Sequence, residues 1–211
     1  MRPVRRSQRA HAGFTLIEAL IALAMLGILV AIGMPSMSGW LATSRASASA
    51  EFYAEGFKLA RAEALKHNSA SRILLTANAN GQMDWQVDLC FPSALKCTDE
   101  SGAWSSVSAI AGLDPEGANG FKSVFRAADA LPDSGAMALA RSPAGATDVY
   151  FTSLGWIDSS MAPLLRRIDL APAAGHAGAF PSASVVITLA GMATTCDPGV
   201  TASDSRACPP P

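Results

Sequence analysis

The chain has 211 residues, of which 50% are hydrophobic, and its formal net charge is −1 at pH 7. This length allows one membrane segment and one domain of ordinary size. The near-neutral total conceals an asymmetry, because residues 1–13 carry four arginines and no acid, whereas the rest carries 12 basic and 17 acidic residues. A body with a formal charge of −5 argues against nucleic-acid binding, which requires clustered lysines or arginines.

A nearly continuous apolar stretch occupies residues 14–34 and contains a single charged residue, Glu18. As a helix with about 1.5 Å per residue, a stretch of this length spans the roughly 30 Å hydrocarbon layer of a bilayer. Because basic residues precede it, the positive-inside rule predicts a cytoplasmic N-terminus and a translocated remainder. A secretory signal peptide would have a shorter apolar core and a small-x-small cleavage site. An uncleaved signal anchor fits the length and charge but leaves Glu18 unexplained.

A carboxylate within lipid costs about 2.5–3.5 kcal/mol on insertion scales, so Glu18 is expected to have a partner and a function. Cleavage between Gly13 and Phe14 would create a new amine four residues before this glutamate. The ammonium and the carboxylate can then neutralise each other, within one chain or between adjacent chains of an assembly. The position of Glu18 therefore predicts that the mature chain begins at Phe14 and that its helices bundle together.

The segment Gly13–Glu18, with the sequence GFTLIE, resembles the processing motif of class III signal sequences, which type IV prepilins and type II secretion pseudopilins carry. This resemblance implies that a prepilin peptidase cleaves after Gly13 and N-methylates Phe14. It also implies that Glu18 guides the subunit into the growing filament. Residues 1–13 are accordingly predicted to be a leader peptide.

Gly27 and Pro35 match positions at which pilins often carry Gly and Pro, and the resemblance implies that the helix is weak between them. Pro35 removes a backbone donor and clashes with the preceding turn, so a weak point there is also physically expected. Residues 14–35 are therefore predicted to form a transmembrane and assembly helix.

The helix is predicted to continue through the Ala-rich segment 36–69, in which Asn68 marks its end because Asn tolerates the left-handed conformation. On a 3.6-residue period this segment has two apolar faces, which predicts a folded domain on one side and neighbouring subunits on the other. The alternative is a helix buried within its own domain. One face comprises Met37, Leu41, Ala48, Phe52, Leu59 and Ala62, and the other comprises Tyr53, Phe57, Ala60 and Ala64.

Residues 70–211 are predicted to form a β-rich domain, because they contain short segments rich in β-branched and aromatic residues between turn formers. Asn80-Gly81 predicts a hairpin turn, whereas residues 99–146 are predicted to consist mostly of loops. The fold class is α+β, with the long helix packed on an antiparallel sheet. Strands are predicted at Ser71–Ala77, Asp84–Cys90, Asp148–Ser153, Leu165–Ala171 and Ala183–Gly191, with a further candidate at Phe121–Phe125.

The four cysteines predict disulfides, because their number is even and the chain is expected to leave the cytoplasm. Three pairings are possible, and we favour Cys90–Cys97 with Cys196–Cys208 since neighbours in sequence meet most easily. Each bond would stabilise the fold by about 2–4 kcal/mol. The spacings C-x6-C and C-x11-C are not those of zinc sites, so neither a metal nor a cofactor is expected.

The layout as a whole resembles the GspH/FimT family, in the segments Leu59–Leu75, Val149–Ile157 and Val185–Pro198 as well as at the N-terminus. This resemblance implies a minor type IV pilin that primes pilus assembly or lies at the tip, with roles in pilus biogenesis, twitching motility and adhesion. The alternative is a minor pseudopilin of type II secretion. Either role implies a single-pass protein of the bacterial inner membrane with a periplasmic domain, which then joins a pilus or pseudopilus. The partners would be the prepilin peptidase, other minor pilins or pseudopilins, and the major pilin.

Two further functions are disfavoured by the sequence. DNA-uptake pilins of this kind carry a Gly-Arg-x-Arg element after the last strand, whereas the matching segment Gly191–Thr194 has no arginine. An enzyme is also not expected, because Asp133-Ser134-Gly135 is typical of a turn and no G-x-S-x-G or glycine-rich phosphate loop is present. The sequence thus predicts a structural protein that binds no nucleic acid.

Overall fold

The computed structural model describes residues 14–92, 96–98 and 101–209, and for residues 32–36 it describes the backbone alone. The chain divides between Trp40 and Leu41 into two compact units. One long helix, α1 (Leu16–His67), contributes residues to both units. The strands that follow are β1 (Ala70–Ala77), β2 (Met83–Cys90), β3 (Val124–Arg126), β4 (Met137–Ser142), β5 (Asp148–Phe151), β6 (Arg167–Pro172), β7 (Ala183–Ile187) and β8 (Ala193–Cys196).

The strands form two antiparallel four-stranded sheets, in the orders β3-β2-β1-β5 and β4-β6-β7-β8. The α+β class is confirmed, but the prediction of a single sheet was wrong. Strands β4 and β8, which form the edges of the second sheet, were not predicted. The sequence MALARS of β4 consists mainly of good helix formers, and pairing with β6 overrides that preference.

The predicted strands are present, but their ends differ from the prediction. The strand predicted over Ala183–Gly191 ends at Ile187, because Thr188–Met192 forms a turn in which Gly191 has a φ of +75°. A left-handed residue cannot continue a strand, and glycine adopts this conformation without steric cost. The other corrections are Phe151 rather than Ser153 as the end of β5, Arg167–Pro172 rather than Leu165–Ala171 for β6, and Val124–Arg126 rather than Phe121–Phe125 for β3.

The core of Leu41–Pro211 forms where one face of α1 packs on the sheets. Of the two predicted apolar faces, the one with Tyr53, Phe57, Ala60 and Ala64 is the inner face, since all four residues are fully buried. Polar contacts fix the helix on β1 and β2. The Trp85 indole donates to the carbonyl of Phe52 at 3.0 Å, and the Ser71 hydroxyl donates to that of Ala60 at 2.6 Å.

The other predicted face of α1 is largely open. Ala48 and Ala62 are exposed, and Leu41 is 43% exposed, whereas Phe52 and Leu59 are half-buried. Among the described residues, all buried core side chains belong to Leu41–Pro211, which therefore contains a complete core of its own.

The predicted C-terminal end of α1 and the predicted turn of the first hairpin are confirmed. Asn68 has a φ of +46°, and the Ser69 N–H donates to the Ala64 carbonyl at 3.1 Å, which closes the helix. Gly81 has a φ of +73° in the turn between β1 and β2. There the Asn78 side chain accepts bonds from two backbone N–H groups, so the sequence at this turn determines its shape.

Candidate functional site

The predicted processing and assembly site lies at the start of α1. Gly13 is outside the described residues, and Phe14 is 79% exposed. The Glu18 N–H donates to the Thr15 hydroxyl at 3.3 Å, and the Ala19 N–H donates to the Thr15 carbonyl at 3.2 Å. Thr15 is thus the residue that caps the helix, and the carboxylate of Glu18 lies in the first turn, where the helix dipole favours a negative charge.

The cap was not recognised in the sequence, although its signal is present there. Thr15-Leu16-Ile17-Glu18 has the spacing of a capping box, in which Thr and Glu satisfy free N–H groups at a helix start. Glu18 therefore has a second explanation besides pairing with a terminal amine. A carboxylate at this position also stabilises the first turn of its own helix.

The segment that follows presents apolar side chains on its surface. Burying one such side chain contributes about 1.5–3 kcal/mol, so an apolar surface of this extent is typical of contact with lipid or with other proteins. The most exposed of these side chains, between 57% and 80%, are Phe14, Leu16, Ile17, Leu23, Met25, Leu26, Ile28 and Leu29.

The structure also describes the positions of Gly27 and Pro35. A Cβ at Gly27 would have no described atom within 4 Å, so the chain's own fold does not require a glycine there. Helix α1 includes the backbone of Pro35 without an interruption. Weakness between these residues inside a filament stays a prediction. In the part of the chain described by the structure, no helix is long and apolar enough to cross a bilayer, and the predicted crossing at 14–35 is not confirmed.

The structure contains both favoured disulfides. Cys90 and Cys97 have Cα atoms 6.3 Å apart, and those of Cys196 and Cys208 are 4.9 Å apart. The second bond closes the C-terminal loop back onto β8, where the Asp197 N–H also donates to the Arg206 carbonyl at 2.8 Å. Each bond therefore restrains the chain segment between its two cysteines.

A salt bridge holds the first disulfide loop against the turn after β5. The Lys96 ammonium lies 2.5 Å from the Asp158 carboxylate and donates to the Ser160 hydroxyl at 2.7 Å. Partial burial favours the neutral acid, but the hydrogen bonds from Lys96 and Ser160 outweigh it and lower the pKa of Asp158. The loop is thus attached by a covalent bond at its base and by an ion pair at Lys96.

Asp133-Ser134-Gly135 forms a turn, and Gly191–Thr194 has an exposed apolar side chain at its second position. The Asp133 carboxylate accepts the N–H groups of Gly135 at 2.9 Å and Ala136 at 3.1 Å, which is an ordinary turn. In the Gly191–Thr194 segment, Met192 is 50% exposed where the DNA-uptake pattern has an arginine.

Residues 8–34 match the family model described as the prokaryotic N-terminal methylation motif. Neither the curated proteins nor the solved structures contain a match to this chain. The match identifies residues 8–34 as a type IV prepilin-like motif, which implies processing by prepilin peptidase and assembly with other pilins. It points to a type IV pilin-like or pseudopilin protein.

Proposed function

We propose that this chain is a minor type IV pilin of the GspH/FimT family, anchored in the inner membrane by residues 14–35. It would prime pilus assembly or lie at the pilus tip. The methylation motif at residues 8–34 is the observation that carries the proposal. The role is structural, and the chain is a substrate of the processing enzyme rather than a catalyst.

Features of the two units support this proposal. The exposed apolar side chains between Phe14 and Val30 need partners, which a membrane and then a bundle of pilin helices would supply. The unit Leu41–Pro211 is a disulfide-containing α+β domain, as expected for a periplasmic or surface-exposed part. The open face of α1, with Phe52 and Leu59, suits contact with neighbouring subunits.

The same motif also fits a minor pseudopilin of type II secretion, and this remains the second candidate. The two roles differ in the proteins that surround the subunit. Site-specific crosslinking from Phe52 in cells would capture pilus subunits in the first case and secretion pseudopilins in the second. A DNA-uptake role has less support, since Arg167 already contacts Asp169 at 2.6 Å and the Gly191–Thr194 segment carries no basic residue.

The decisive experiment is processing of the Gly13→Ala variant. In cells with a prepilin peptidase, the wild-type chain should lose residues 1–13 and carry an N-methylated Phe14, whereas Gly13→Ala should keep its leader and stay out of filaments. Mass spectrometry of the N-terminal peptide measures both outcomes. Gly175→Ala is the matched control, because it makes the same chemical change outside the motif and the assembly helix, where a Cβ would meet no described atom within 4 Å.

Two results would contradict the proposal. One is an intact Met1 N-terminus on wild-type protein recovered from assembled filaments. The other is normal cleavage of Gly13→Ala together with normal incorporation, which would show that the motif has no part in processing. To test the minor role, the protein should be quantified against the major pilin in sheared filaments, where we expect far fewer copies.

A further inference from the structure

Two β-turns with the same sequence pattern lie side by side against the end of α1. They are Thr152–Trp156 (TSLGW) and Thr188–Met192 (TLAGM), each with a glycine of positive φ at its fourth position. A Cβ on Gly191 would collide with the Gly155 carbonyl oxygen, so the two turns are in direct contact. The Arg61 Nε donates to this carbonyl at 3.2 Å, and Leu65 packs against Gly155.

The tips of these turns carry large apolar side chains, although turns are usually polar. They form what we name the twin-turn patch, together with one residue of the last helical turns. Along α1 the patch lies about 36 Å from Leu41, at 1.5 Å per residue. Its members, with their exposed fractions, are Leu154 (68%), Trp156 (62%), Leu189 (54%), Met192 (50%) and Leu65 (46%).

The surroundings of the patch are basic. Arg61 lies beneath the turns, and the exposed Arg166 borders a groove that Leu189 also lines. Neither turn contains an acid, and the two acids nearest to the patch in sequence, Asp158 and Glu63, are paired with Lys96 and Lys66 respectively. Apolar tips with arginines around them are complementary to an interface that is apolar inside and anionic at its surface.

The backbone at the base of each turn is already hydrogen-bonded, which lowers the cost of removing these groups from water. Thr152 and Trp156 bond to each other through N–H and carbonyl at 2.8 Å, and Thr188 and Met192 do the same at 3.0 Å. The Ile157 N–H donates to the Leu189 carbonyl at 3.0 Å, which joins the two turns. The bases of both turns can therefore approach an apolar medium with their backbone groups paired.

We propose that the twin-turn patch inserts into the interfacial layer of a lipid bilayer that contains anionic headgroups. Five side chains expose a few hundred Å² in total, which is less than the roughly 800 Å² that each partner buries in a stable protein complex. Shallow insertion needs no such area, and Trp156 is of the residue type that is enriched at membrane interfaces. Two copies meeting through this patch would bring Arg61 and Arg166 towards their equivalents, which disfavours a symmetric dimer.

The test uses the unit Leu41–Pro211, which contains the whole described core and both disulfides and lacks the apolar N-terminus that would insert by itself. Binding to sedimented vesicles of phosphatidylcholine, with or without 30 mol% phosphatidylglycerol, is measured at low and moderate salt. We expect binding to the anionic vesicles, weakened by salt, with quenching of Trp fluorescence by brominated lipid that Trp156→Phe abolishes.

Substitutions then locate the site. Leu154→Ser with Trp156→Ser should lower the partition coefficient at least tenfold, and Arg166→Gln should lower it about fivefold for anionic vesicles only. The matched control is Val107→Ser with Leu113→Ser, which removes two equally exposed apolar side chains elsewhere and should change nothing. Thermal unfolding of each variant establishes that the fold is retained.

Two outcomes would overturn the proposal. One is the absence of vesicle binding by a folded wild-type unit. The other is concentration-dependent self-association that the double serine variant abolishes, which would show that the patch is a protein contact. Because this test does not involve Gly13 or the leader, its failure leaves the proposed pilin function untouched, and the reverse also holds.

Discussion

Residues 14–31 and the unit Leu41–Pro211 place their large apolar residues in opposite ways. In the first, Leu16 and Leu29 are 80% and 68% exposed, while in the second Phe57 and Trp85 are at most 1% exposed. Residues 14–31 are the more hydrophobic of the two regions, yet none of their side chains is buried. The comparison teaches that the apolar residues of the N-terminal segment are exposed and available for contacts, whereas those of the unit Leu41–Pro211 determine its own fold.

The largest effect should separate Phe57→Ala from Leu20→Ala. Removing the buried ring leaves a cavity between α1 and the sheets and should lower the free energy of unfolding by about 3–5 kcal/mol. Leu20 is 54% exposed, so its truncation should change that energy by less than about 0.5 kcal/mol.

The measurement is chemical denaturation of the full chain in a mild detergent, followed by the near-ultraviolet circular dichroism of the tryptophans. The distinction between the two segments would fail if Leu20→Ala proved as destabilising as Phe57→Ala. In cells, at matched protein levels, we expect Leu20→Ala to reduce incorporation into filaments more than Phe57→Ala does, because Leu20 belongs to the exposed apolar surface that is proposed to contact other subunits.

The second prediction uses two glycines of the same helix. A Cβ at Gly56 would lie 2.7 Å from Ile73 Cδ1 and 3.0 Å from the Trp85 ring, while Gly27 has free space. Gly56→Ala should therefore destabilise the chain by about 1–2 kcal/mol, after allowance for the better helix propensity of Ala.

Gly27→Ala should leave the free energy of unfolding unchanged or raise it slightly in the same assay. Ile73→Val combined with Gly56→Ala should recover part of the loss, because it relieves the closest contact. If Gly56→Ala were neutral by itself, the close approach of α1 to β1 and β2 would not be a constraint of the fold.

The sequence predicts the Leu41–Pro211 fold wherever local pattern and tertiary packing agree. The 3.6-residue period places Tyr53 and Phe57 on one apolar face of α1, which the structure shows to be buried, and Asn68 with Asn80-Gly81 identifies a helix end and a turn. It misses β4 because Met137-Ala-Leu has helical propensity and becomes a strand only through pairing with β6. The division into two sheets depends on that pairing and cannot be obtained from local residues.

The candidate site shows the same division. Charge, cleavage glycine, aromatic residue and acid coincide within Gly13–Glu18, and this coincidence is readable without a structure. The twin-turn patch cannot be predicted from the sequence, although TSLGW and TLAGM share a pattern. Contact between Gly155 and Gly191 requires β5 and β7 to end at neighbouring positions, which only the fold determines. Sequence motifs of processing are local, whereas surfaces formed by distant turns are not.

A smaller effect concerns Tyr53, whose hydroxyl accepts the Met83 N–H at 3.1 Å in the core. Burial raises the pKa of Tyr53 from 10.0 to about 12. The stabilisation by the neutral phenol is complete below pH 10 and is lost as the pH rises from 10 to 12. Tyr53→Phe should cost about 1 kcal/mol at pH 7, since it leaves the Met83 N–H unpaired, and should weaken the alkaline loss of stability.

Unfolding free energies at pH 9, 10, 11 and 11.5 measure this slope. Part of the slope should remain in the variant, because burial also raises the pKa of Tyr150. Tyr150→Phe is the matched comparison, because it removes the hydroxyl of the other tyrosine whose pKa burial raises. An alkaline slope identical in wild type and Tyr53→Phe would mean that Tyr53 ionises equally in both states.

The smallest effect on folding, and the sharpest on function, is expected for Glu18→Gln. Gln is as suitable as Glu at the third position of a capping box, so the helix start and the stability of the chain should change by less than about 0.5 kcal/mol. A neutral amide cannot neutralise the positive charge on the terminal amine of a processed Phe14.

If Glu18 serves only the cap at Thr15, filaments should incorporate Glu18→Gln normally. If it pairs with the terminal amine of its own or a neighbouring chain, incorporation should fall as far as in Glu18→Ala while cleavage after Gly13 continues. Quantifying processed protein in membranes and in sheared filaments separates the two explanations, and the second is the one that the apolar surroundings of Glu18 favour.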